Sequence, residues 1–190
     1  MNKNFTQYAF TPDVKELQTQ NGSRKAYERM ERSGDRFELG ASEIEFIQSR
    51  DSFYIATVGE NGWPYTQHRG GSKGFLKALD STTLIFGDYS GNRQYISAGN
   101  VISNAKANLF LMDYPTQQRL KIWATVTIRA TEDVPDLTRS LQDETNSPPI
   151  ERVFIIKIQG FDWNCPKYIT PRYTLEEIRN TQSILNQLKQ

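Results

Sequence analysis

Alternating apolar and polar positions dominate the middle of the chain and predict β-strands. Residues 52–58 are rich in aromatic and β-branched side chains, which suit a pleated sheet, and the turn at residues 59–62 returns the chain into a second strand over residues 63–69. Similar segments occupy residues 82–88, 108–114, 119–131 and 152–159. Six strands with few helices predict a mostly β fold of the α+β class, closed as an antiparallel barrel.

Helix signals stand on both sides of these strands. Ser42 and Glu45 have the spacing of a capping box, so we expect a helix from Ser42 to about residue 50. Thr174 and Glu177 repeat that spacing and predict a final helix with one apolar face. The expected organisation is an N-terminal arm (1–40), one barrel domain (41–172) and a C-terminal helix packed on that domain (173–190). The proline-containing segment 133–149 is expected to be, in part, an exposed connection.

The composition excludes several classes of function. The 190 residues suffice for one substantial core, and 23 Lys and Arg against 22 Asp and Glu give a net charge of +1. This balance lacks the positive excess of nucleic-acid-binding proteins. The apolar runs are far shorter than the roughly 20 residues that cross a bilayer, and the first residues contain no apolar signal segment. We therefore expect a soluble, cytoplasmic protein without a nucleic-acid or membrane partner.

The single histidine and the single cysteine restrict the chemistry further. Because Cys165 has no second cysteine and His68 no second histidine, neither a disulfide nor a metal site is expected within the chain. Residues 70–74 match the G-x-S-x-G pattern of serine hydrolases, but that family places its histidine after the serine, whereas His68 precedes Ser72. No catalytic residue is assigned, and Cys165 is expected to be a small packing side chain.

Two segments have the chemistry of an anion site. In the second strand, Gln67 and Arg69 share one face and His68 lies on the other, while Gly70 and Gly71 follow and leave backbone amides accessible. The segment from Asp88 to Gln94 then leads into a helix predicted over residues 92–106, with Arg93 in its first turn. Helix N-termini attract anions, so a guanidinium there favours phosphate binding. A solvated arginine at a helix start is an equally ordinary explanation.

Two later segments could also face a ligand. Along residues 119–131, Arg119, Lys121 and Trp123 share a face, which suits an anionic and aromatic ligand but equally suits an edge strand protected by cations. The following segment, residues 161–173, combines aromatic, amide and cationic side chains, including Trp163 and Asn164, without clear periodicity. Loops of this composition often line binding sites.

Taken together, residues 62–76 (GWPYTQHRGGSKGFL), 88–95 (DYSGNRQY), 119–123 (RLKIW) and 162–166 (DWNCP) resemble the pyridoxamine 5'-phosphate oxidase-related family of FMN-binding split-barrel proteins. The resemblance spans residues 42–172, and the DWNCP segment is similar to an uncharacterised branch of that family. Several motifs in the same order are more specific than any single motif.

The resemblance implies a six-stranded antiparallel split barrel that forms a homodimer, with FMN in two clefts at the subunit interface. Arg119 and Lys121 would reach the cofactor of their own or of the partner subunit. The cofactor contacts implied by matching motifs are Gln67, His68, Arg69, Gly70, Gly71, Asp88, Asn92, Arg93, Gln94, Arg119, Lys121, Trp163 and Asn164.

The implied function is a flavin-dependent oxidoreductase that acts on a small substrate. The related oxidases end in a basic motif that helps to hold pyridoxal phosphate, whereas this chain ends in a polar helix, so pyridoxamine 5'-phosphate is not the expected substrate. Two alternatives remain open at this point. One is a non-catalytic FMN-binding or stress-related module, and the other is a split barrel that uses haem or a deazaflavin.

Overall fold

The computed structural model describes residues 4–142, 148–163 and 166–187. The strands in these residues are β1 (Ser52–Val58), β2 (Pro64–Gly70), β3 (Lys77–Asp80), β4 (Thr83–Tyr89), β5 (Lys106–Asp113), β6 (Gln118–Ala130) and β7 (Ile150–Trp163). They form one antiparallel sheet in the order β2-β1-β5-β6-β7-β4-β3. The predicted mostly β architecture is therefore confirmed, with seven strands in the described residues rather than six.

Seven α-helices accompany the sheet in the described part of the chain. They are α1 (Thr6–Ala9), α2 (Pro12–Gln20), α3 (Arg24–Arg32), α4 (Ala41–Gln48), α5 (Ile96–Ser103), α6 (Pro135–Leu141) and α7 (Leu175–Gln187), and a 3₁₀ turn covers Thr131–Asp133. Among these helices, none has both the length and the apolar character that crossing a bilayer requires.

The strand that sequence analysis missed is β3. It pairs only with β4 in the described sheet and has the sequence Lys-Ala-Leu-Asp, with Leu79 exposed. Four residues, of which two are charged, are too few to show an alternating pattern. The last strand also ends later than predicted, because β7 continues to Trp163 in antiparallel pairing with β6. Residues 161–163 are therefore strand and not loop.

The two predicted capping boxes have different outcomes. At α4, the helix begins at Ala41, and the Glu43 side chain accepts a hydrogen bond from the Gly40 backbone N–H at 3.0 Å, so the predicted pairing of Ser42 with Glu45 is wrong. At α7, Thr174 Oγ1 accepts from the Glu177 N–H at 3.2 Å and the Thr174 N–H donates to Glu177, as predicted. The apolar side chains at the start of α7 remain exposed: Leu175 at 72% and Ile178 at 52%.

The N-terminal residues fold over the outer face of β6 and β7. Phe5 is buried and stacks on Trp123 with 5.1 Å between the ring centroids. The N-terminal segment crosses β7 at Gly160. A Cβ atom at Gly160 would lie 2.5 Å from the Phe5 backbone nitrogen, so this crossing requires glycine. A bulge in β7 at Gln159 adjoins the crossing, and the Gln159 side chain accepts a hydrogen bond from the Tyr8 hydroxyl at 3.4 Å.

Aromatic rings fill the centre of the core. Phe53 meets Phe86 edge to face at 5.4 Å, and Phe86 stacks on Phe154 at 4.7 Å. A smaller cluster forms where α6 packs, within the segment that was expected to be partly an exposed connection; here Leu141 is buried against Ile150 and its neighbours. Residues 143–147 of that segment lie outside the described residues.

The sheet curls so that its two ends approach each other. β2 is one end of the strand order and β4 is the last strand but one at the other end. Nevertheless, the guanidinium of Arg69 in β2 forms an ion pair with the carboxylate of Asp88 in β4. In the described sheet no backbone pairing joins β2 to β4, so this side-chain contact bridges the gap between them, which we call the split of the barrel.

Candidate functional site

A cleft of about 180 Å³ lies at this split between β2, β4 and α5. It is also lined by the turn that precedes α5 and by Glu151 of β7. Six of the residues predicted from sequence to bind the cofactor line the cleft together: Gln67, Arg69, Asp88, Asn92, Arg93 and Gln94. The fold thus brings two separate sequence segments to one place, although their role in binding remains a prediction.

Side chains alternate along β2, so every second residue of this strand faces the cleft. Tyr65, Gln67 and Arg69 are half-buried toward the cleft, while the residues between them are exposed. Gln67 Oε1 accepts a hydrogen bond from the Ser97 hydroxyl in α5 at 2.7 Å. α5 is also tied to β1, because the Asn100 side chain donates to Thr57 Oγ1 at 3.0 Å. These two hydrogen bonds hold α5 beside β2 and β1.

The floor of the cleft is an ion-pair cluster around Asp88. Asp88 is 6% exposed, and its carboxylate pairs with Arg69 and lies 3.6 Å from Arg152 Nε. The Arg69 guanidinium also faces the rings of Phe86 and Phe154, at 5.6 and 5.4 Å from their centroids. In the part of the chain that the structure describes, Arg69 Nε is buried without a hydrogen-bond partner. A buried donor of this kind is costly unless a ligand or water satisfies it.

The turn before α5 has an unusual backbone. Arg93 and Tyr95 have φ angles of 57° and 54°, in the left-handed region that non-glycine residues seldom adopt. The Asn92 side chain stabilises the turn by accepting a hydrogen bond from the Gln94 N–H at 3.1 Å. Because α5 begins at Ile96, Arg93 precedes the helix, and the prediction that it lies in the first turn is wrong. Backbone strain at a concave site is a feature of binding loops.

Cations outnumber anions among the side chains that line the cleft or, like Arg152, adjoin it. Arg93 Nε donates to the Tyr95 hydroxyl at 3.3 Å, and this bond raises the pKa of Arg93 above its ordinary value, with a further contribution from the charge of Glu151. Arg152 lies over the Tyr95 ring at 4.5 Å and pairs with Glu151 at 2.6 Å. Three guanidiniums, counting Arg69, against the carboxylates of Asp88 and Glu151 leave one net positive charge.

Three predicted residues of the second strand segment lie outside this cleft. His68 is on the exposed face of β2, and its ring contacts the Tyr54 ring edge to face at 5.5 Å. Gly70 ends β2 and Gly71 follows it, both exposed. Gly71 lines a different concavity together with Tyr54.

The remaining predicted residues lie elsewhere on the barrel. Arg119 is over the Phe110 ring at 5.9 Å, and Lys121 Nζ pairs with Asp162 Oδ2 at 2.9 Å. The Trp163 indole N–H donates to Glu43 Oε1 at 2.7 Å. Asn164 and Cys165 lie outside the described residues. Within one chain, the structure therefore does not bring Arg119, Lys121 or Trp163 to the cleft.

Sequence analysis did not assign several residues that line or support the cleft, among them Tyr65, Tyr95, Ser97, Glu151 and Arg152. Tyr65 could have been found, because it shares the alternating face of Gln67 and Arg69. The position of Arg152 depends on its register opposite Asp88 in the β4–β7 pair, which no local pattern reveals. Among the described residues, no cluster of His, Cys, Asp or Glu has the composition of a metal site.

The hydrogen bond between Trp163 and Glu43 yields a pH prediction. Partial burial acts to raise the pKa of Glu43, but bonds from Trp163, the Gly40 N–H and Ser42 outweigh it and hold the pKa below its ordinary value. A carboxyl group whose pKa is lower in the folded state stabilises the fold at pH values above its unfolded-state pKa. This stabilisation is lost as the pH falls through its folded-state pKa. We expect Glu43→Gln to cost about 1 kcal/mol at pH 7, since solvent screens a partly exposed bond.

Urea unfolding of Glu43→Gln and of the native chain at pH 7 and pH 3 measures this effect. The difference in unfolding free energy should be smaller at pH 3 than at pH 7, because protonation of the Glu43 carboxylate removes its contribution as the pH falls. Glu45→Gln, at an exposed position of the same helix, is the matched control. A difference that is the same at both pH values would contradict the assignment.

Comparison with known proteins identifies the family. The family model described as pyridoxamine 5'-phosphate oxidase matches residues 43–160, which is more than half of the chain. No curated protein matches the chain in sequence. The matched segment contains β1 to β6 in full and β7 as far as Gly160.

Solved structures show the same fold at low sequence identity. A variant of HupZ from Group A Streptococcus has a TM-score of 0.52 and 15% identity, covering 66% of this chain and 99% of that one. A provisional pyridoxamine 5'-phosphate oxidase from Lactobacillus delbrueckii has a TM-score of 0.50 and 19% identity, covering 66% and 93%. These likenesses establish the architecture of the barrel.

Proposed function

Because the chain belongs to the pyridoxamine 5'-phosphate oxidase family, we propose that it binds FMN at the Arg69–Arg93 cleft and acts as a flavin-dependent oxidoreductase on a small substrate. The observation that carries this proposal is the convergence of Arg69, Arg93 and Arg152 at the split of the barrel, where Arg69 Nε is buried without a partner among the described residues. A phosphate ester offers the acceptors that such a cluster lacks.

The turn before α5 suits the phosphate end of the cofactor. α5 starts without a side-chain cap, so the amides of its first turn are available at the cleft. The aligned peptide dipoles add positive potential there, and Arg93 supplies a full charge beside them. Arg93 and Tyr95, both in the left-handed conformation, shape this turn and line the cleft.

The ion-pair cluster positions the second cation. Asp88 holds the Arg69 guanidinium across the split, and the aromatic rings beneath it restrict its movement. Gln67, held by Ser97, adds an amide beside Arg69. Bound FMN would supply the hydride or electron transfer, and the residues of this chain supply binding and electrostatics.

The size of the cleft supports a site shared between two protomers. Its volume of about 180 Å³ is below the roughly 300–1,000 Å³ of sites for drug-sized ligands. We therefore propose a homodimer in which a second protomer completes each cofactor site. Arg119, which lies away from the cleft of its own chain, is then a candidate to reach the site of the partner.

The absorption spectrum of the purified protein tests this proposal most directly. A flavin spectrum, restored by added FMN after removal of bound cofactor, is the expected result, and a haem spectrum would overturn it. Anaerobic reduction followed by an electron acceptor separates an oxidoreductase from a module that binds FMN without turnover. The substrate sought is a small molecule other than pyridoxamine 5'-phosphate.

The role of Arg93 can be measured by substitution. Arg93→Ala should weaken FMN binding about 10- to 100-fold, because it removes a charge-assisted hydrogen bond to the phosphate. Quenching of flavin fluorescence in a titration gives the dissociation constant. Arg139→Ala is the matched control, since Arg139 is exposed on α6 and pairs with Asp136 outside the cleft. Equal affinity of the Arg93→Ala variant and this control would refute the assignment.

A further inference from the structure

A second cleft lies between the N-terminal helices and the ends of β6 and β7. It has a volume of about 570 Å³, within the range of small-molecule sites. Its N-terminal wall belongs to residues 5–30, which precede the segment matched by the family. The residues that define this N-terminal cleft are Phe5, Phe10, Val14, Tyr27, Lys121 and Asp162.

Aromatic rings form one continuous wall of the N-terminal cleft. Phe5 stacks on Trp123 at 5.1 Å, Phe10 meets Phe5 edge to face at 5.8 Å, and Tyr27 meets Phe10 at 5.3 Å. Each ring is fixed by the next, so the wall is preorganised. Walls of this kind favour planar aromatic ligands through stacking and edge-to-face contact.

The charged part of the N-terminal cleft is one ion pair. The polar residues Gln18, Asn21 and Ser23 also line the cleft, and their side chains form hydrogen bonds within the N-terminal helices. Lys121 Nζ and Asp162 Oδ2 are 2.9 Å apart, and both side chains are largely buried. They are the charged residues among the described lining of the cleft. Trp163 also lines it, but its indole N–H is already bonded to Glu43. A ligand therefore meets one cationic donor and one anionic acceptor side by side, with no net charge.

We propose that the N-terminal cleft binds an uncharged aromatic molecule that carries a carboxamide or lactam group. Its carbonyl oxygen accepts a hydrogen bond from Lys121 Nζ, and its N–H donates to the Asp162 carboxylate. A charged ligand loses its hydration in the cleft, and a pair without net charge does not compensate that loss, so the pair favours a neutral group. The aromatic ring of the ligand lies against the wall of Phe5, Phe10 and Tyr27.

This proposal does not rest on the proposed function. The N-terminal cleft and the Arg69–Arg93 cleft have no lining residue in common among the described residues. Binding can be measured in the full chain with and without FMN. If no ligand binds at one of the two clefts, binding at the other can therefore still be measured.

The test uses benzamide and benzoate, which have nearly the same shape and differ in charge. The probe is the set of three tryptophan indole N–H signals in a ¹H–¹⁵N NMR spectrum. Benzamide should shift the signal of Trp163, which lines the cleft, while Trp63, which is 75% exposed in the β1–β2 connection, serves as the internal control. Benzoate should bind at least about tenfold more weakly than benzamide.

A substitution of Asp162 sharpens the result. Asp162→Asn keeps the shape but leaves the Lys121 charge unpaired, so benzoate affinity should rise about tenfold or more. Asp136→Asn, on the exposed face of α6, should change neither affinity. If Asp162→Asn does not fold, Val14→Trp fills the cleft from α2 and should abolish the benzamide shift of Trp163.

Three outcomes would overturn the proposal. They are equal affinity of the native chain for benzamide and benzoate, benzamide shifts of Trp63 as large as those of Trp163, and benzamide binding that persists unchanged in Val14→Trp. Absence of any indole shift at benzamide concentrations of tens of millimolar, about the weakest range for such a fragment, would overturn it as well.

Discussion

Arg69→Met is expected to lower the free energy of unfolding by about 3–5 kcal/mol and to abolish FMN binding. Asp88 is 6% exposed, and the substitution leaves its carboxylate with Arg152 at 3.6 Å as its remaining cationic neighbour. It also removes the ion pair that joins β2 to β4 across the split of the barrel. Urea unfolding measures the stability, and a flavin fluorescence titration measures the binding.

A double variant separates these two effects. Arg69→Met with Asp88→Asn removes the uncompensated buried charge, so most of the lost stability should return. FMN binding should not return, because the guanidinium is still absent. If the double variant were no more stable than Arg69→Met alone, the buried ion pair would not be the cause of the loss. If it bound FMN like the native chain, Arg69 would have no role in the site.

The parts of the fold that were predictable are those specified by local pattern. β1, β2, β5 and β6 show alternation along most of their length, whereas β4 is a continuous buried segment, and the structure places all five within about two residues of their predicted bounds. The shared face of Gln67 and Arg69 follows from the same two-residue period. β3 was missed because its stability comes from pairing with β4, which a four-residue segment does not reveal.

The candidate site was predictable in part, for a related reason. Motifs identified Asn92, Arg93 and Gln94, but the conformation of the turn depends on two left-handed residues, Arg93 and Tyr95, that carry no glycine signal. Helix α5 therefore starts later than expected.

The outer face of β6 shows a second limit of local patterns. Alternation correctly grouped Lys121 with Trp123, yet the element that covers them comes from the start of the chain. Long-range contacts of this kind lie outside any periodic pattern.

Gly160→Ala tests the contact that holds the N-terminal segment in place. The new Cβ would lie 2.5 Å from the Phe5 nitrogen and 2.9 Å from its Cα, so backbone atoms must move. We expect a loss of about 3 kcal/mol, because Phe5 and Trp123 lose their mutual burial when the segment is displaced. Urea unfolding measures the loss, and accelerated proteolysis before residue 40 locates it.

The same substitution at Gly99 is the matched control. A Cβ there meets no atom within 4 Å, and alanine favours the helix, so Gly99→Ala should stabilise the chain by about 0.5–1 kcal/mol. If Gly160→Ala were as stable as this variant, the N-terminal segment would not depend on the crossing. Because the crossing supports the N-terminal cleft and not the Arg69–Arg93 cleft, Gly160→Ala should abolish benzamide binding and retain FMN binding. Loss of both ligands would instead mean that the displaced segment supports the barrel as a whole.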